Sequence, residues 1–196
     1  MAEITIDAIK KLKELSGVGL TDAKKALVEA EGDFDKALKA MREKGLTKAE
    51  KRSDRETREG VVASYIHDHR LGAIVEVNCE TSFVANTDEF KELAHKLAMQ
   101  IASMSPLYIS EADIPEKDRA EKFAELEANF KGPEKMKEQI IDGQVKKAFA
   151  DKVLMLQPYI LDDTKTVTDF IKEMIAKTGE NITIRQFKRI ELGVNE

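Results

Sequence analysis

Residues 71–86 read LGAIVEVNCETSFVAN, and their pattern changes from strand-like to helix-like within a few positions. From residue 73 to residue 78 the apolar, β-branched content predicts a buried strand, with Gly72 before it and polar turn residues after it. Thr87 suits a helix N-cap, because a hydroxyl oxygen there accepts a hydrogen bond from a free backbone N–H. Phe83 therefore lies in a predicted loop between a strand and a helix.

Two interpretations of Phe83 are open at this point. A loop phenylalanine commonly closes the end of its own hydrophobic core, because most aromatic side chains are buried. Alternatively, the ring points outwards and inserts into a binding partner. The exposure of this one side chain distinguishes the two interpretations.

The composition predicts a globular protein that acts through protein contacts. The 196 residues are 42% hydrophobic and 35% charged, enough for one sizeable core and a small appended module. A net charge of −5 and a pI near 5.5 argue against a nucleic-acid or membrane binder, which would carry a basic excess. The first residues, MAEITIDAIK, lack the basic and apolar regions of a secretion signal, so we expect a cytoplasmic protein.

Residues 1–45 predict three short helices around a miniature core. Their predicted N-caps are Thr5, Thr21 and Asp33. Glycines are expected to end the helices, namely Gly17, Gly19, Gly32 and Gly45. The polar, mixed-charge segment 46–59 predicts a solvated linker, although its basic residues would also suit an acidic partner.

Residues 60–196 predict a core in which a small antiparallel sheet packs against helices, so that the whole chain is α+β. Segments 61–67 and 73–78 form a hairpin, and segment 181–192 joins it as a third strand, because an isolated hairpin is unstable. The apolar residues of that last strand are expected on one side: Ile182, Ile184, Ile190 and Leu192. The helix after Thr87 has its predicted inner residues at helical spacing: Phe90, Leu93, Ala94, Leu97, Ala98 and Ile101.

Helices are also predicted between the hairpin and the last strand. Pro115 opens a helix that Gly132-Pro133 ends, with inner residues Phe123, Ala124, Ala128 and Phe130. Gly143 separates two shorter helices. Thr166 caps a final helix that stops at Gly179.

The sequence contains no convincing catalytic or metal-binding set. His67 and His69 are two residues apart, but no further ligand follows at a zinc-site spacing. Cys79 is the only cysteine, which fits a reducing compartment. A nucleophilic Cys79 with His95 as its base stays an alternative, whereas the apolar strand before Cys79 and the acidic Glu80 after it favour a structural cysteine.

Two long motifs resemble the bacterial-type elongation factor Ts family. Residues 76–86, EVNCETSFVAN, are similar to one signature of that family, and residues 12–27, LKELSGVGLTDAKKAL, are similar to the other. Shorter matches extend the resemblance to the carboxyl end, at residues 157–159, 165–167 and 179–182. The resemblance therefore covers nearly the whole chain.

The resemblance implies a guanine-nucleotide exchange factor for elongation factor Tu, without a cofactor or catalytic site of its own. It also implies that residues 1–45 have a ubiquitin-associated fold and pack on a helix of the GTPase. The contact residues implied there are Lys13, Leu20, Thr21 and Lys24. Family members usually carry arginine at the Lys13 position and apolar residues at the positions of Leu20 and Thr21.

In the family, an Asp-Phe pair in the first signature wedges beside the magnesium site of the GTPase. Phe83 matches the phenylalanine, whereas Ser82 stands where the family has aspartate. Thr81, Val84 and Gln100 complete the implied contact residues, and the Gln100 position often carries histidine in the family. Because a serine hydroxyl cannot supply the charge of aspartate near a metal ion, we expect a working but weaker factor.

The chain resembles the short form of the family, since only part of a second strand-and-helix unit is present. Short members pair as homodimers, so we expect a homodimer here. Two other functions stay open. The chain would be a non-exchanging adapter if its three-helix module only binds other proteins, or a small hydrolase if Cys79 is reactive.

Overall fold

The structure is a computed structural model that describes residues 4–16, 19–130 and 136–194. Its helices are α1 (Ile6–Ser16), α2 (Leu20–Glu29), α3 (Phe34–Glu50), α4 (Ser82–Ala85), α5 (Asp88–Met104), α6 (Glu116–Ala128), α7 (Lys137–Phe149) and α8 (Val167–Thr178). Its strands are β1 (Glu59–His67), β2 (Leu71–Cys79), β3 (Pro158–Tyr159), β4 (Asp162–Thr166) and β5 (Ile182–Glu191). The predicted α+β class is confirmed.

A three-stranded antiparallel sheet has the order β1-β2-β5, so the most apolar strand lies in the centre. Val75 pairs with Ala63 on one side and with Phe187 on the other, and all three side chains contact the main core. The last strand therefore joins the hairpin, as predicted. A second, two-stranded sheet of β3 and β4 lies outside it and was not predicted.

A β-bulge in β5 overturns the prediction that its four apolar residues share one side. The register shifts between Glu76 and Val77 of β2, which pair with Gln186 and Ile184 and leave Arg185 as the extra residue. One inserted residue reverses which side chains face the core, because strand side chains alternate. Ile182 is consequently buried, whereas Ile190 is 75% exposed on the other face.

The three N-terminal helices enclose their own small core, as predicted. Its buried residues are Ile9, Leu12, Ala23, Ala26, Leu27, Ala30, Ala37 and Met41. The caps at Thr5 and Asp33 are confirmed, since each side-chain oxygen accepts a hydrogen bond from a backbone N–H three residues later. Gly17 and Val18, part of the predicted turn, lie outside the described residues.

The predicted cap at Thr21 is wrong. Helix α2 begins two residues earlier than that cap implies, at Leu20, and Gly19 occupies the N-cap with an extended backbone and no side-chain hydrogen bond. Thr21 lies inside the first turn with an exposed side chain. Its hydroxyl is thus free of the capping role that the sequence suggested.

Helix α3 extends further than expected, through position 45 to Glu50. The predicted end at Gly45 is wrong because tertiary packing continues the helix: α3 packs against α8, and Ala49 is buried in the main core. The rest of the predicted linker also makes contacts, since Arg52 donates a hydrogen bond to the carbonyl of Ile175 at 3.3 Å. Tertiary packing thus holds parts of this polar segment against the larger domain.

Helix α5 packs on the sheet through the apolar face that the sequence predicted, and all six of its predicted inner residues are buried. Thr87 and Thr166 cap α5 and α8 through hydrogen bonds from Phe90 and Asp169 backbone N–H groups, and both caps are as predicted. Helix α8 stops at Gly179, which has a left-handed backbone with φ of 79°. The main core therefore lies between the sheet, α5 and α8.

The region between α5 and β3 departs from the prediction. Ala124 and Ala128 of α6 are exposed, because this segment packs on the α7 cluster through Phe123, Leu126 and Phe130. Gly143 does not separate two helices but lies within α7. The predicted break at Gly132-Pro133 lies outside the described residues.

Candidate partner-binding site

Phe83 points away from the protein, with 82% of its surface exposed. The predicted loop is a single helical turn, α4, in which Thr81 is the N-cap and its side chain accepts a hydrogen bond from the N–H of Val84. Val84 and Ala85 are buried on the opposite side of this turn. The interpretation of Phe83 as a plug of its own core is therefore wrong.

Hydrogen bonds within the segment hold the C-terminal end of this turn. The side-chain amide of Asn86 donates to the carbonyl of Ser82, and the hydroxyl of Thr87 donates to the carbonyl of Val84, both at 2.8 Å. The same two carbonyls also accept hydrogen bonds from the backbone N–H groups of Asn86 and Thr87, so each has two donors at the end of the turn. Ser82 itself is exposed beside Phe83 and presents an uncharged hydroxyl.

Glu180, which lies far along the chain, contacts the N-terminal end of the same turn. Sequence reasoning missed this contact. The Glu180 carboxylate accepts hydrogen bonds from the backbone N–H groups of Glu80 and Thr81 at 3.1 and 3.0 Å. It also accepts one from the Thr81 hydroxyl at 2.6 Å. Glu180 belongs to the matched segment 179–182, but nothing in the sequence indicated what that segment contacts.

The four implied residues of the N-terminal module are all exposed. Lys13 lies in the last turn of α1, and Leu20, Thr21 and Lys24 lie in the first half of α2. Leu20 and Lys24 are four positions apart and so share a helix face. Leu20 is 50% exposed, so this face of α2 presents an apolar side chain next to the cationic Lys24.

Gln100 is not on this surface. It is fully buried, and its amide donates to the side-chain oxygen of Gln157 and to the carbonyl of Pro158, both at 3.1 Å. Its own oxygen accepts a hydrogen bond from the N–H of Ile160 at 2.8 Å. In this arrangement Gln100 presents no side-chain surface to another molecule and instead holds the start of the β3–β4 hairpin.

Cys79 shows the features of a structural cysteine. It is fully buried, and its thiol donates to the carbonyl of Thr81 at 3.3 Å. Burial, together with the nearby Glu180 carboxylate, raises the pKa of the Cys79 thiol and so disfavours the nucleophilic thiolate. A ring nitrogen of His95, the candidate base, instead lies within hydrogen-bonding distance of the carbonyl oxygen of Ser64.

Within residues 4–16, 19–130 and 136–194, no three His, Cys, Asp or Glu side chains are arranged to hold a metal ion. His67 instead contacts the hydroxyl of Tyr65 at 3.1 Å. No helix in the described part of the chain has the length and apolar character needed to cross a membrane.

Comparisons with known proteins show which family the chain belongs to. A sequence model of the family described as Elongation factor TS matches residues 3–193. The protein named Elongation factor Ts from Thermotoga maritima is 48% identical to this chain. The alignment is 196 residues long and covers 97% of each chain. Those from Syntrophomonas wolfei and Coprothermobacter proteolyticus are 46% and 44% identical, over 97% of this chain and 91% and 99% of theirs. Because the match spans nearly the whole chain, this chain belongs to the elongation factor Ts family.

Proposed function

We propose that this chain binds elongation factor Tu and accelerates release of its GDP by inserting Phe83 near the magnesium and phosphate site. The exposure of the Phe83 ring carries the proposal, because a solvent-facing aromatic on a firmly held turn is suited to enter a pocket of another protein. Ser82, beside the ring, and the flanking Thr81 complete this contact, whereas Val84, which the resemblance also implied, is buried and supports the turn from the core side. The chain needs no catalytic site of its own in this role.

Exchange by such a factor is a coupling of two binding equilibria. The factor binds the nucleotide-free GTPase more tightly than the loaded one, and by reciprocity the nucleotide is held less tightly in the complex. Burial of one phenylalanine contributes about 1.5 to 3 kcal/mol. If that contact forms only in the nucleotide-free state, it supports at most roughly a hundredfold weakening of nucleotide binding.

The direct test measures the release of a fluorescent GDP from elongation factor Tu, with and without the chain. Acceleration at substoichiometric concentrations supports the exchange function. Binding without acceleration, seen for example in a pull-down with purified elongation factor Tu, would support the adapter function instead.

Ser82→Asp should increase the rate of GDP release by a few-fold. The carboxylate would restore a negative charge beside the partner's magnesium ion, where the hydroxyl only forms hydrogen bonds. Residue 82 is exposed, so the substitution should leave the thermal midpoint nearly unchanged. Ser82→Asn is the matched control, because it adds similar volume without charge. An equal gain for both variants would contradict the electrostatic explanation.

The N-terminal module, residues 1–45, is proposed to dock the chain on a helix of the GTPase through a ubiquitin-associated-like fold. The exposed side chains of Lys13, Leu20, Thr21 and Lys24 support this docking role. Residues 46–59 connect the module to the exchange core at 60–196. Gln100 is proposed to contribute indirectly, through the β3–β4 hairpin that its amide holds.

The open face of the three-stranded sheet is proposed as a homodimer interface. Ile66 and Ile190 flank Gly72 in one cross-strand row of that face, and the two isoleucines are 68% and 75% exposed. Val62 and Ile74 extend the apolar area at 64% and 47% exposure. A second copy of the same face is the proposed occupant, because short family members pair.

Ile66→Lys should convert the homodimer to a monomer. A lysine within an apolar interface would leave a charge without solvent or a partner, which is costly. Mass measurement in solution should show one chain of 22.0 kDa for the variant and twice that for the unmodified protein. Val28→Lys, at an exposed apolar position in α2, should stay dimeric. If Ile66→Lys still has the mass of two chains, this face is not the dimer interface.

The proposed location is the cytoplasm, where elongation factor Tu and the reducing conditions suited to a free cysteine are both expected. No direct contact with nucleic acid is proposed, because the chain carries a net negative charge.

A further inference from the structure

We propose that Glu180 is a positioning residue for Phe83, an inference that rests on the exchange function proposed above. Its carboxylate accepts hydrogen bonds from three donors, the backbone N–H groups of Glu80 and Thr81 and the Thr81 hydroxyl. All three donors lie where β2 ends and α4 begins. Glu180 therefore holds the base of the turn that presents Phe83, from a position 99 residues further along the chain than Thr81.

The direction of the Phe83 ring depends on its backbone. At 82% exposure the ring has almost no packing of its own, so the turn that carries it sets its position. A single helical turn is unstable in isolation, because few hydrogen bonds compensate for the loss of backbone freedom. Burial of Val84 and Ala85 holds one side of the turn, whereas Thr81 on the other side is exposed and needs hydrogen bonds to hold it.

Glu180 also orients the cap of the turn. The Thr81 hydroxyl has one hydrogen, which it donates to the Glu180 carboxylate at 2.6 Å. A lone pair of the same oxygen is then directed towards the N–H of Val84, at 3.4 Å. Loss of the carboxylate would free this hydroxyl to rotate, and the cap on α4 would weaken.

A reciprocal set of contacts holds Glu180 in place. The carboxylate of Glu80 accepts a hydrogen bond from the N–H of Asn181 at 2.6 Å, so the two segments bind each other in both directions. The side-chain amide of Asn181 donates to the carbonyls of Ser53 and Arg55, at 3.1 and 2.8 Å. Three separate stretches of the chain thus meet at the base of the Phe83 turn.

A double-mutant cycle tests the proposal through the exchange rate. Glu180→Ala should lower the saturating rate of GDP release roughly tenfold, because a small misplacement of an inserted group has a large effect. The concentration for half-saturation should change little, since the N-terminal module still docks. In a Phe83→Ala background, Glu180→Ala should have almost no further effect, because the residue that it positions is already absent.

A second measurement reports how firmly the side chain at residue 83 is held, in the absence of any GTPase. The chain contains three tyrosines but no tryptophan, so Phe83→Trp introduces a single indole, which can be excited selectively at wavelengths that tyrosine does not absorb. Adding Glu180→Ala should lower the fluorescence anisotropy of that indole, which reports its greater local motion. Glu173→Ala is the matched control, because Glu173 lies on α8 and pairs with Lys165, away from the turn.

The outcomes separate this inference from the exchange function. If Phe83→Ala abolishes exchange but Glu180→Ala leaves rate and anisotropy unchanged, the positioning role is wrong and the exchange function stands. If the two losses multiply in the cycle, Glu180 acts independently of Phe83 and the proposal is overturned. If Phe83→Ala itself has no effect on exchange, the insertion mechanism is wrong, and the anisotropy alone reports whether Glu180 holds the turn.

Discussion

Replacing Phe83 with alanine should nearly abolish the stimulation of GDP release from elongation factor Tu. The ring is 82% exposed, so its removal takes away a surface for the partner and almost nothing from the fold. A loss of about 1.5 to 3 kcal/mol of binding energy in the nucleotide-free complex corresponds to a fall of roughly tenfold to a hundredfold in the stimulated rate. A fluorescent GDP and stopped-flow mixing would measure it.

Leu107→Ala is the control for this variant, because Leu107 is another exposed apolar residue, at 59%, outside the turn and the sheet face. Both variants should keep the thermal midpoint of the unmodified chain within a few degrees, since surface substitutions change stability little. Unchanged exchange after Phe83→Ala would reject insertion of this side chain as the mechanism. An equal loss in both variants would point to a general effect of exposed apolar area instead.

Gln157→Met should lower the free energy of unfolding by about 3 to 5 kcal/mol, the largest stability effect we expect from one side chain here. Gln157 is fully buried, and its amide donates to the carbonyls of Met104 and Asp151 at 3.1 and 2.7 Å. Its oxygen accepts from Gln100 at 3.1 Å. Methionine has a similar shape but leaves these partners without their hydrogen bonds, and an unsatisfied buried polar group costs about 1 to 3 kcal/mol.

Urea denaturation measures this loss as a lower transition midpoint with an unchanged slope. Gln144→Met, the same chemical change at an exposed position of α7, should shift the midpoint very little. A midpoint for Gln157→Met equal to that of Gln144→Met would mean that the buried amides contribute no net stability. The network would then serve only to fix the geometry of the β3–β4 hairpin.

Local patterns predicted most of the helices well. The inner face of α5 follows from its helical spacing alone, and Thr5, Asp33, Thr87 and Thr166 act as caps because the capping interaction spans only three residues. Thr21 failed as a cap because Gly19, two residues before it, already provides the extended backbone that starts α2. The predicted cap was wrong by two residues, which is within the usual uncertainty of a helix boundary.

Contacts between distant segments were the ones that sequence reasoning could not predict. The bulge at Arg185 depends on how β5 pairs with β2, and it reverses the side of Ile190 without any local signal. Gln100 resembled a partner-binding position, but the structure pairs it with Gln157, 57 residues away. Glu180 likewise reaches Thr81 across 99 residues.

The sequence by itself determined the family, the α+β class, the helical faces and the position of Phe83 between a strand and a helix. These features depend on residue spacing and on motifs within one segment. Only the tertiary structure decided that the Phe83 ring faces solvent, that Gln100 faces inwards and that Glu180 holds the turn. The physical reason is that the exposure and direction of a side chain depend on which distant segments pack and hydrogen bond around it, and no local pattern encodes those neighbours.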